Sequence, residues 1–341
     1  MDFSYEVVEL VPRRVFRTAR TTSASSESVI VHISDGAFHG VGEAAPSRFY
    51  GEDTETVVGV LEHMRPIVER CKHESELMAE LTSRGGKSDP AARASLEIAA
   101  HDMMGKRYGL PLYRYFGLDP RRTPRVIMSV GLDDPDVMVE KAIEVGWAPL
   151  IKVKLDRDTD PGVVARIKEA TGTSVTVDAN CAWGTDEALA KIGELAKIGV
   201  VLVEQPVAAD DIEGLRVVTT GSTVPIYADE SCPTLEDIPR VASAVSGIVI
   251  KLMKCGGLIE AVRMAREARD RGLGTMIGCM LESSLALTAA AHISPLVDCA
   301  DLDSGHLLEA DPYVGMRFDG GRIVLPDEPG LGVSRAPGWS A

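Results

Sequence analysis

Three acids and three lysines in this chain fall at intervals suited to chemistry. Asp178 closes the run SVTVD, Glu204 closes VVLVE and Asp229 closes PIYAD. They follow one another at about 25 residues, the length of one strand-plus-helix unit. Acids at the ends of neighbouring strands, ~4.8 Å apart, converge on one point. Asp, Glu and Asp without His or Cys form an all-oxygen set suited to a hard divalent ion, Mg2+ first and Mn2+ second. Left unpaired, three such acids would raise one another's pKa values, so positive charge is expected among them.

The lysines bracket the acids. Lys152 and Lys154, in the run IKVK, share one side of a strand because side chains alternate. Lys251 ends the run GIVIK, one shorter unit beyond Asp229. In a ring of eight strands these would be strands two and six, diametrically opposed, so two amines approach a bound substrate from opposite faces. A base at Lys154 must lose its proton near pH 7, against a reference pKa of about 10.4. A neighbouring Lys152 cation and a metal ion act in the required direction. Singly, a strand-end lysine is usually solvated and a strand-end Asp is often a helix cap. The phased set is what argues for chemistry. Lys254, in KLMKCGG, lies past the strand end and is expected to be a loop or structural residue.

The elements that must position these residues are legible. After Arg121-Arg-Thr-Pro124 the chain alternates strand, loop and helix. Strands are expected at Val126–Val130, Leu150–Leu155, Ser174–Asp178, Val200–Glu204, Pro225–Asp229, Gly247–Leu252, Leu273–Gly278 and Asp298–Asp303. Eight strands alternating with amphipathic stretches indicate a parallel barrel, with a doubly wound sheet as the alternative. Before the boundary, strands at Ser4–Val11, Ser28–Ser34 and Gly40–Ala44 precede helices at Thr54–Cys71 and Asp89–Tyr108, an α+β unit. The polar stretch Arg17–Ser26 reads as a surface loop long enough to be a lid. Arg317–Leu325 reads as a hairpin, expected to pack back on the first domain.

This constellation resembles the enolase superfamily, and within it the muconate-lactonizing branch, over nearly the whole chain. The resemblance implies a modified TIM barrel, (β/α)7β, spanning 123–311, with an α+β capping domain at 1–122 on which 312–341 packs back. It implies Asp178, Glu204 and Asp229 as metal ligands, and Lys154 and Lys251 as the acid/base pair, since lysine bases working with Mg2+ are a pattern of that superfamily. Lys152 would hold the substrate carboxylate. The chemistry implied is removal and return of a proton next to a carboxylate, with charge stabilised where it grows.

The last strand narrows the substrate. Asp301-Leu-Asp303 places two carboxylates on one face, suited to an ammonium group; their ordinary alternative is a helix cap or solvated loop. The stretches DLDSGHLLEADP and GCMLESSLALTAAAHIS resemble those of dipeptide epimerases, whose Asp-x-Asp binds the ammonium of a small dipeptide. Arg20 stands at a position similar to the arginine that reads glutamate in some L-Ala-D/L-Glu epimerases, with Arg17 as competitor. Glu230, Asn180 and Ser283 are expected behind the site, Cys279 and Met280 along the pocket, Trp183 as wall or core, and His292 as a core histidine. The alternatives are an N-acylamino acid racemase, an o-succinylbenzoate synthase, or a non-catalytic barrel that binds a small acid.

Bulk properties agree with such a protein. Formal charge is −15, from 51 acidic and 36 basic residues, and no Lys/Arg cluster tracks a phosphate backbone, so nucleic acid is not an expected partner. The six cysteines are scattered singly, which argues against a disulfide framework. No signal peptide and no apolar run of ~18 residues is apparent, so a cytoplasmic protein without a membrane span is expected. A symmetric homo-oligomer is the expected assembly.

Overall fold

The computed structural model describes residues 1–84 and 89–339. The chain opens with β1 (Asp2–Leu10), β2 (Phe16–Arg17), β3 (Thr22–Ser23), β4 (Ser26–Ser34) and β5 (His39–Ala44). β1, β4 and β5 form an antiparallel sheet in that order. Helices α1 (Thr54–Arg70), α2 (Glu74–Ser83), α3 (Pro90–Tyr108) and α4 (Leu112–Tyr115) follow. Pro90 opens α3 where its missing N–H has no use, and Gly109 ends it at φ 66°. α3 lies almost on the backbone of β5. A Cβ at Gly42 would stand 2.0 Å from Ser95 O, and one at Gly40 2.1 Å from Ala99 O.

The segment 17–26 is not a plain loop. Phe16 pairs with Ser23 and Arg17 with Thr22, making a small β2–β3 hairpin with residues 18–21 at its tip. Leu132 N–H donates to Arg17 O (2.9 Å), which fastens the hairpin beside the end of the first barrel strand. Two-residue strands are too short to show alternation, so Ser/Thr-rich composition dominates the sequence signal.

The barrel strands are β6 (Arg125–Val130), β7 (Leu150–Lys154), β8 (Ser174–Asp178), β9 (Val203–Glu204), β10 (Ile226–Ala228), β11 (Gly247–Ile250), β12 (Gly274–Gly278) and β13 (Cys299–Asp301). All neighbours pair parallel, and β13 pairs with β6 to close the ring, which excludes the doubly wound sheet. Helices α5 (Pro135–Glu144), α6 (Gly162–Thr171), α7 (Thr185–Ile198), α8 (Ile212–Gly221), α9 (Ile238–Val241), α10 (Leu252–Cys255), α11 (Leu258–Asp270) and α12 (Ser284–Ile293) connect them, and α13 (Ser304–Leu307) follows β13.

Alternation along each strand stacks an apolar floor beneath a polar mouth. Ile127, Leu202, Val249 and Met276 form a buried cluster with Leu150, Tyr227 and Cys299 against it. Two residues further along the same faces come Ser129, Glu204, Lys251, Gly278, Lys152, Asp229 and Asp301. Period-two patterning thus sends the chemistry-bearing side chains to one end of the barrel.

Two carboxylates of the capping domain cap barrel helices. Glu43, on β5, accepts from Ser283 N–H (2.9 Å), Ser283 Oγ (2.5 Å) and Ala286 N–H (3.2 Å) at the start of α12. Glu97, on α3, accepts from Ile259 N–H (2.7 Å) at the start of α11. There Gly257 adopts φ 132°, and a Cβ would stand 2.5 Å from the Glu97 carboxyl carbon.

The C-terminal hairpin forms from β15 (Arg317–Asp319) and β16 (Arg322–Val324), after β14 (Tyr313–Val314). It joins barrel strand β6 through Arg322 and Arg125, not the capping sheet. Beyond it, Leu331 N–H donates to Asp102 Oδ1 (2.8 Å) on α3, and Arg335, in β17 (Ser334–Arg335), pairs with Glu6 on β1. Ser340 and Ala341 lie outside the described residues. Among the described residues no helix is long and apolar enough to cross a membrane. All six cysteines are free.

Candidate active site and metal centre

The barrel mouth brings the lysines and acids together. Lys154 pairs across strands with Asp178, and Asp178 with Glu204. Lys154 Nζ bonds Asp178 Oδ2 (2.5 Å), and Lys251 Nζ bonds Asp229 Oδ2 (2.8 Å). Lys152 Nζ bonds Glu204 Oε2 (3.2 Å) and Asp301 Oδ2, and lies 4.0 Å from Asp178. Asp178, Glu204 and Asp229 are all within 1% of complete burial. β7 and β11 stand opposite one another in the closed ring, so Lys154 and Lys251 enter from opposed strands.

The electrostatics follow from which acid holds a cation. Burial alone would push Asp229 up, but the Lys251 and Lys254 ammonium groups hold it well below the usual range. Burial also works against Asp178, yet Lys154 and Lys152 keep it low. Glu204 is different: burial, then the Asp178 charge, raise it, and Lys152 offsets only part. Burial disfavours the Lys152 and Lys251 charges, but the surrounding carboxylates hold both pKa values above the ordinary one. A lysine poised to lose its proton is therefore absent at Lys251 in this arrangement, because Asp229 holds it as an ammonium ion.

The donor set fits a divalent cation. Glu204 Oε1, Glu230 Oε2 and Asn180 Oδ1 are buried acceptors without a hydrogen-bond partner among the described residues. Orphaned acceptors, in a cluster without His or Cys, call for a hard cation. Were Asp178, Glu204 and Asp229 to hold such an ion, it would compete with Lys154 for Asp178 Oδ2 and with Lys251 for Asp229 Oδ2. Among the described residues the only trio of ligand atoms within 4.8 Å of one another is elsewhere, at Asp35, His73 and Glu74. Arg107 already bonds both of those carboxylates.

Backbone strain concentrates beside the acids. Asn180 (φ 44°), Cys181 (φ 68°) and Gln205 (φ 36°) adopt left-handed conformations just after β8 and β9. Asn180 N–H donates to Asp178 Oδ1 (2.8 Å), and Asn180 Nδ2 to Asp178 Oδ2 (3.0 Å) and Glu230 Oε1 (3.4 Å). Gln205 Oε1 accepts from Asp229 N–H (3.0 Å) and Ser231 N–H (3.1 Å), which fixes the turn after β10.

The other expected residues sort as follows. Asp303 Oδ2 accepts from Ser129 N–H; burial, then Asp301, raises its pKa. Asp301 is engaged by Lys152 and by Ser129 Oγ (3.3 Å). Arg20 reaches the site and Arg17 stays exposed. The Arg20 guanidinium pairs with buried Glu230, lies 3.5 Å from Cys181 Sγ, and covers the Phe49 ring at 4.2 Å. Ser283 serves α12 and Glu43. His292 is a core histidine that accepts from Tyr113 N–H (3.2 Å) and bonds Leu331 O (3.0 Å). Trp183 is buried, donating to Asp156 O (3.0 Å).

Two residues escaped the sequence reading, Glu282 and Tyr50; Lys254, expected to be a loop or structural residue, is structural, fully buried in α10 on Asp229. Glu282 is buried past β12, and burial pushes its pKa up to about 8. A lone acid in the otherwise uncharged run GCMLESSLAL was its signal. Tyr50, raised by burial and then by the Asp229 and Glu230 charges, faces the same acids from the capping domain. It carries no local pattern.

Comparison with known proteins agrees with this geometry. Residues 4–117 match the mandelate racemase / muconate lactonizing enzyme N-terminal domain, and residues 138–337 the enolase C-terminal domain-like family. An L-Ala-D/L-Glu epimerase of Bacteroides thetaiotaomicron is 36% identical over 98% of this chain and 88% of its own length. The substrate-liganded L-Ala-D/L-Glu epimerase from Bacillus subtilis superposes with TM-score 0.91 at 30% identity, covering 98% of each chain. A dipeptide epimerase from Enterococcus faecalis, complexed with Mg and L-Leu-L-Tyr, superposes with TM-score 0.91 at 32% identity over 98% of this chain and 99% of that one. The chain belongs to the mandelate racemase / muconate lactonizing enzyme family of the enolase superfamily.

Proposed function

We propose that the protein is a divalent-metal-dependent dipeptide epimerase, inverting the α-carbon of the C-terminal residue of a dipeptide. The observation that carries this reading is the pair Lys154 and Lys251, on opposed strands, each resting on a carboxylate that a cation would claim. Asp178, Glu204 and Asp229 are assigned as ligands of Mg2+, with Mn2+ as substitute. When bound, the ion supplies positive charge where the substrate carboxylate gains negative charge. Lys152 Nζ donates to that carboxylate. One of Lys154 and Lys251, as free amine, takes the α-proton; the other, as ammonium, delivers one to the opposite face. The reverse reaction exchanges their roles.

Asp301 and Asp303 are assigned to the ammonium group of the dipeptide, which offsets the repulsion between two buried acids. Arg20, Phe49 and Tyr50 cover the C-terminal side chain and keep water from the carbanion. L-Ala-L-Glu is the first candidate, because an anionic side chain can compete with Glu230 for Arg20. The capping unit is taken as 1–122 with 312–341, and the catalytic barrel as 123–311, in a cytoplasmic homo-oligomer.

The test is incubation with Mg2+ in D2O and a panel of L,L-dipeptides: L-Ala-L-Glu, hydrophobic and cationic. Deuterium should enter the α-position of the C-terminal residue of at least one. Turnover of an N-acylated amino acid, with no exchange in any dipeptide, would place the protein among the N-acylamino acid racemases instead.

A further inference from the structure

Asp229 carries two lysines, and they are held in different ways. Lys251 Nζ makes one bond, to Asp229 Oδ2 (2.8 Å), and its side chain keeps 12% exposure toward the mouth. Lys254 has no exposure at all. Its Nζ donates to Asp229 Oδ1 (2.6 Å), Asp229 O (2.8 Å) and Val249 O (2.8 Å). An ammonium has three N–H groups, and here all three are used, two on backbone carbonyls beside β10 and within β11. Lys251 can leave Asp229 by turning into the mouth. Lys254 has nowhere else to go.

We propose that Lys254 is a positioning residue that clamps Asp229, committing Oδ1 to the scaffold and presenting Oδ2 alone to a cation. The clamp rests on the reading of Asp229 as a metal ligand. Its consequence is an exchange: a cation arriving at Oδ2 displaces Lys251, the acid/base residue, while the buried carboxylate keeps a permanent counter-charge. Gln205 completes the fixture by holding Asp229 N–H. The turn α10, which carries Lys254 and starts directly after Lys251, is braced from outside where Gly257 meets Glu97 of the capping helix α3.

A clamp and a mere charge shield predict opposite signs. Deleting a cation beside a ligand should tighten metal binding by removing repulsion. Deleting a clamp should weaken it, because the carboxylate turns freely and two backbone carbonyls lose their donor. Loss of a partner that orients a ligand typically costs about 10–100-fold in metal affinity. The experiment titrates Mg2+ alone into the metal-free full chain by calorimetry, with Mn2+ paramagnetic resonance as a second readout. Lys254→Met should bind Mg2+ at least about tenfold more weakly than wild type, with an altered Mn2+ spectrum. Lys254→Arg keeps the charge, but its planar fork cannot reach the same three acceptors, so it should remain weak. It also decides the matter if Lys254→Met does not fold. Unchanged or tighter Mg2+ binding by Lys254→Met, or full recovery in Lys254→Arg, would overturn the clamp. Failure of the dipeptide reading is separate: wild type would bind Mg2+, the Lys254 variants would weaken it, and no dipeptide would exchange.

Discussion

Glu97→Gln tests how the capping domain holds the barrel. Glu97 is a buried carboxyl from α3 that accepts from Ile259 N–H (2.7 Å) and from Leu258 N–H at the start of α11. Burial is the larger influence and raises its pKa from 4.5 to about 7; the helix N–H groups and Arg93 oppose it. A group whose folded pKa is raised contributes stability that is fully present below its unfolded pKa and is lost as pH rises through the folded value. Here the window runs from 4.5 to about 7. Between pH 5 and pH 8 the shift corresponds to about 2–3 kcal/mol lost by the wild type. The amide that replaces the carboxyl cannot ionise, so the variant escapes that loss, while one helix N–H faces an amide NH2 at a pH-independent cost of about 1 kcal/mol. Urea unfolding at pH 5 and pH 8 gives the difference between variant and wild type at each pH. His101 and His292, which burial lowers to about 4, act in the opposite direction but cancel in that difference. Glu97→Gln should gain about 2–3 kcal/mol relative to wild type over this range. A flat difference would refute the reasoning, because Glu97 would then be ionised in the fold as easily as in the open chain.

Two further predictions concern the site and its frame. Lys154→Ala and Lys251→Ala should each lose epimerization by about 10^3-fold or more, yet each should still exchange the α-proton of one epimer with D2O, and the two variants should serve opposite epimers. Proton NMR of each epimer separately checks this, and exchange of both by either variant would remove the two-face assignment. Glu43→Ala should destabilise the fold by about 2 kcal/mol, since three donors at the start of α12 lose a buried carboxylate. Urea unfolding at pH 7 measures it, and an unchanged midpoint would mean that Ser283 caps the helix unaided.

What was legible in the sequence was whatever a strand's period or a βα unit's length imposes. Asp178, Glu204 and Asp229 could be placed because each ends a strand of the same ring, and the two lysines of IKVK because residues two apart share a face. All eight barrel strands appear where alternation put them, with β9 shortened to Val203–Glu204. What was not legible depends on partners far away in the chain. Lys254 stands between a loop and a structural residue on sequence, because nothing in KLMKCGG shows that its side chain turns back onto Asp229, 25 residues earlier. Glu43 and Glu97 look like ordinary acids of a strand and a helix; only the docking of two domains makes them caps. The hairpin at 317–324 was legible, but its seat on β6 was not, since edge pairing is chosen by tertiary packing.

These long-range contacts share one location, which ties the frame to the chemistry. The two barrel helices capped by the capping domain are α11 and α12, and they follow the strands whose ends carry Lys251 with Lys254, and Glu282. On the other side of the mouth, Lys152, Lys154 and Asp178 sit in register on β7 and β8, with Asn180 bonded to Asp178 and Arg20 beside Cys181. Arg20 and Tyr50, from the capping domain, lean on Glu230 and Asp229. The capping domain therefore touches the Lys251 half of the site through two helix starts, and the Lys154 half through the β2–β3 hairpin. In the proposed reaction, proton return to the opposite face requires both amines in reach of one carbon, so the helix starts that Glu43 and Glu97 cap help to hold the spacing on which inversion depends.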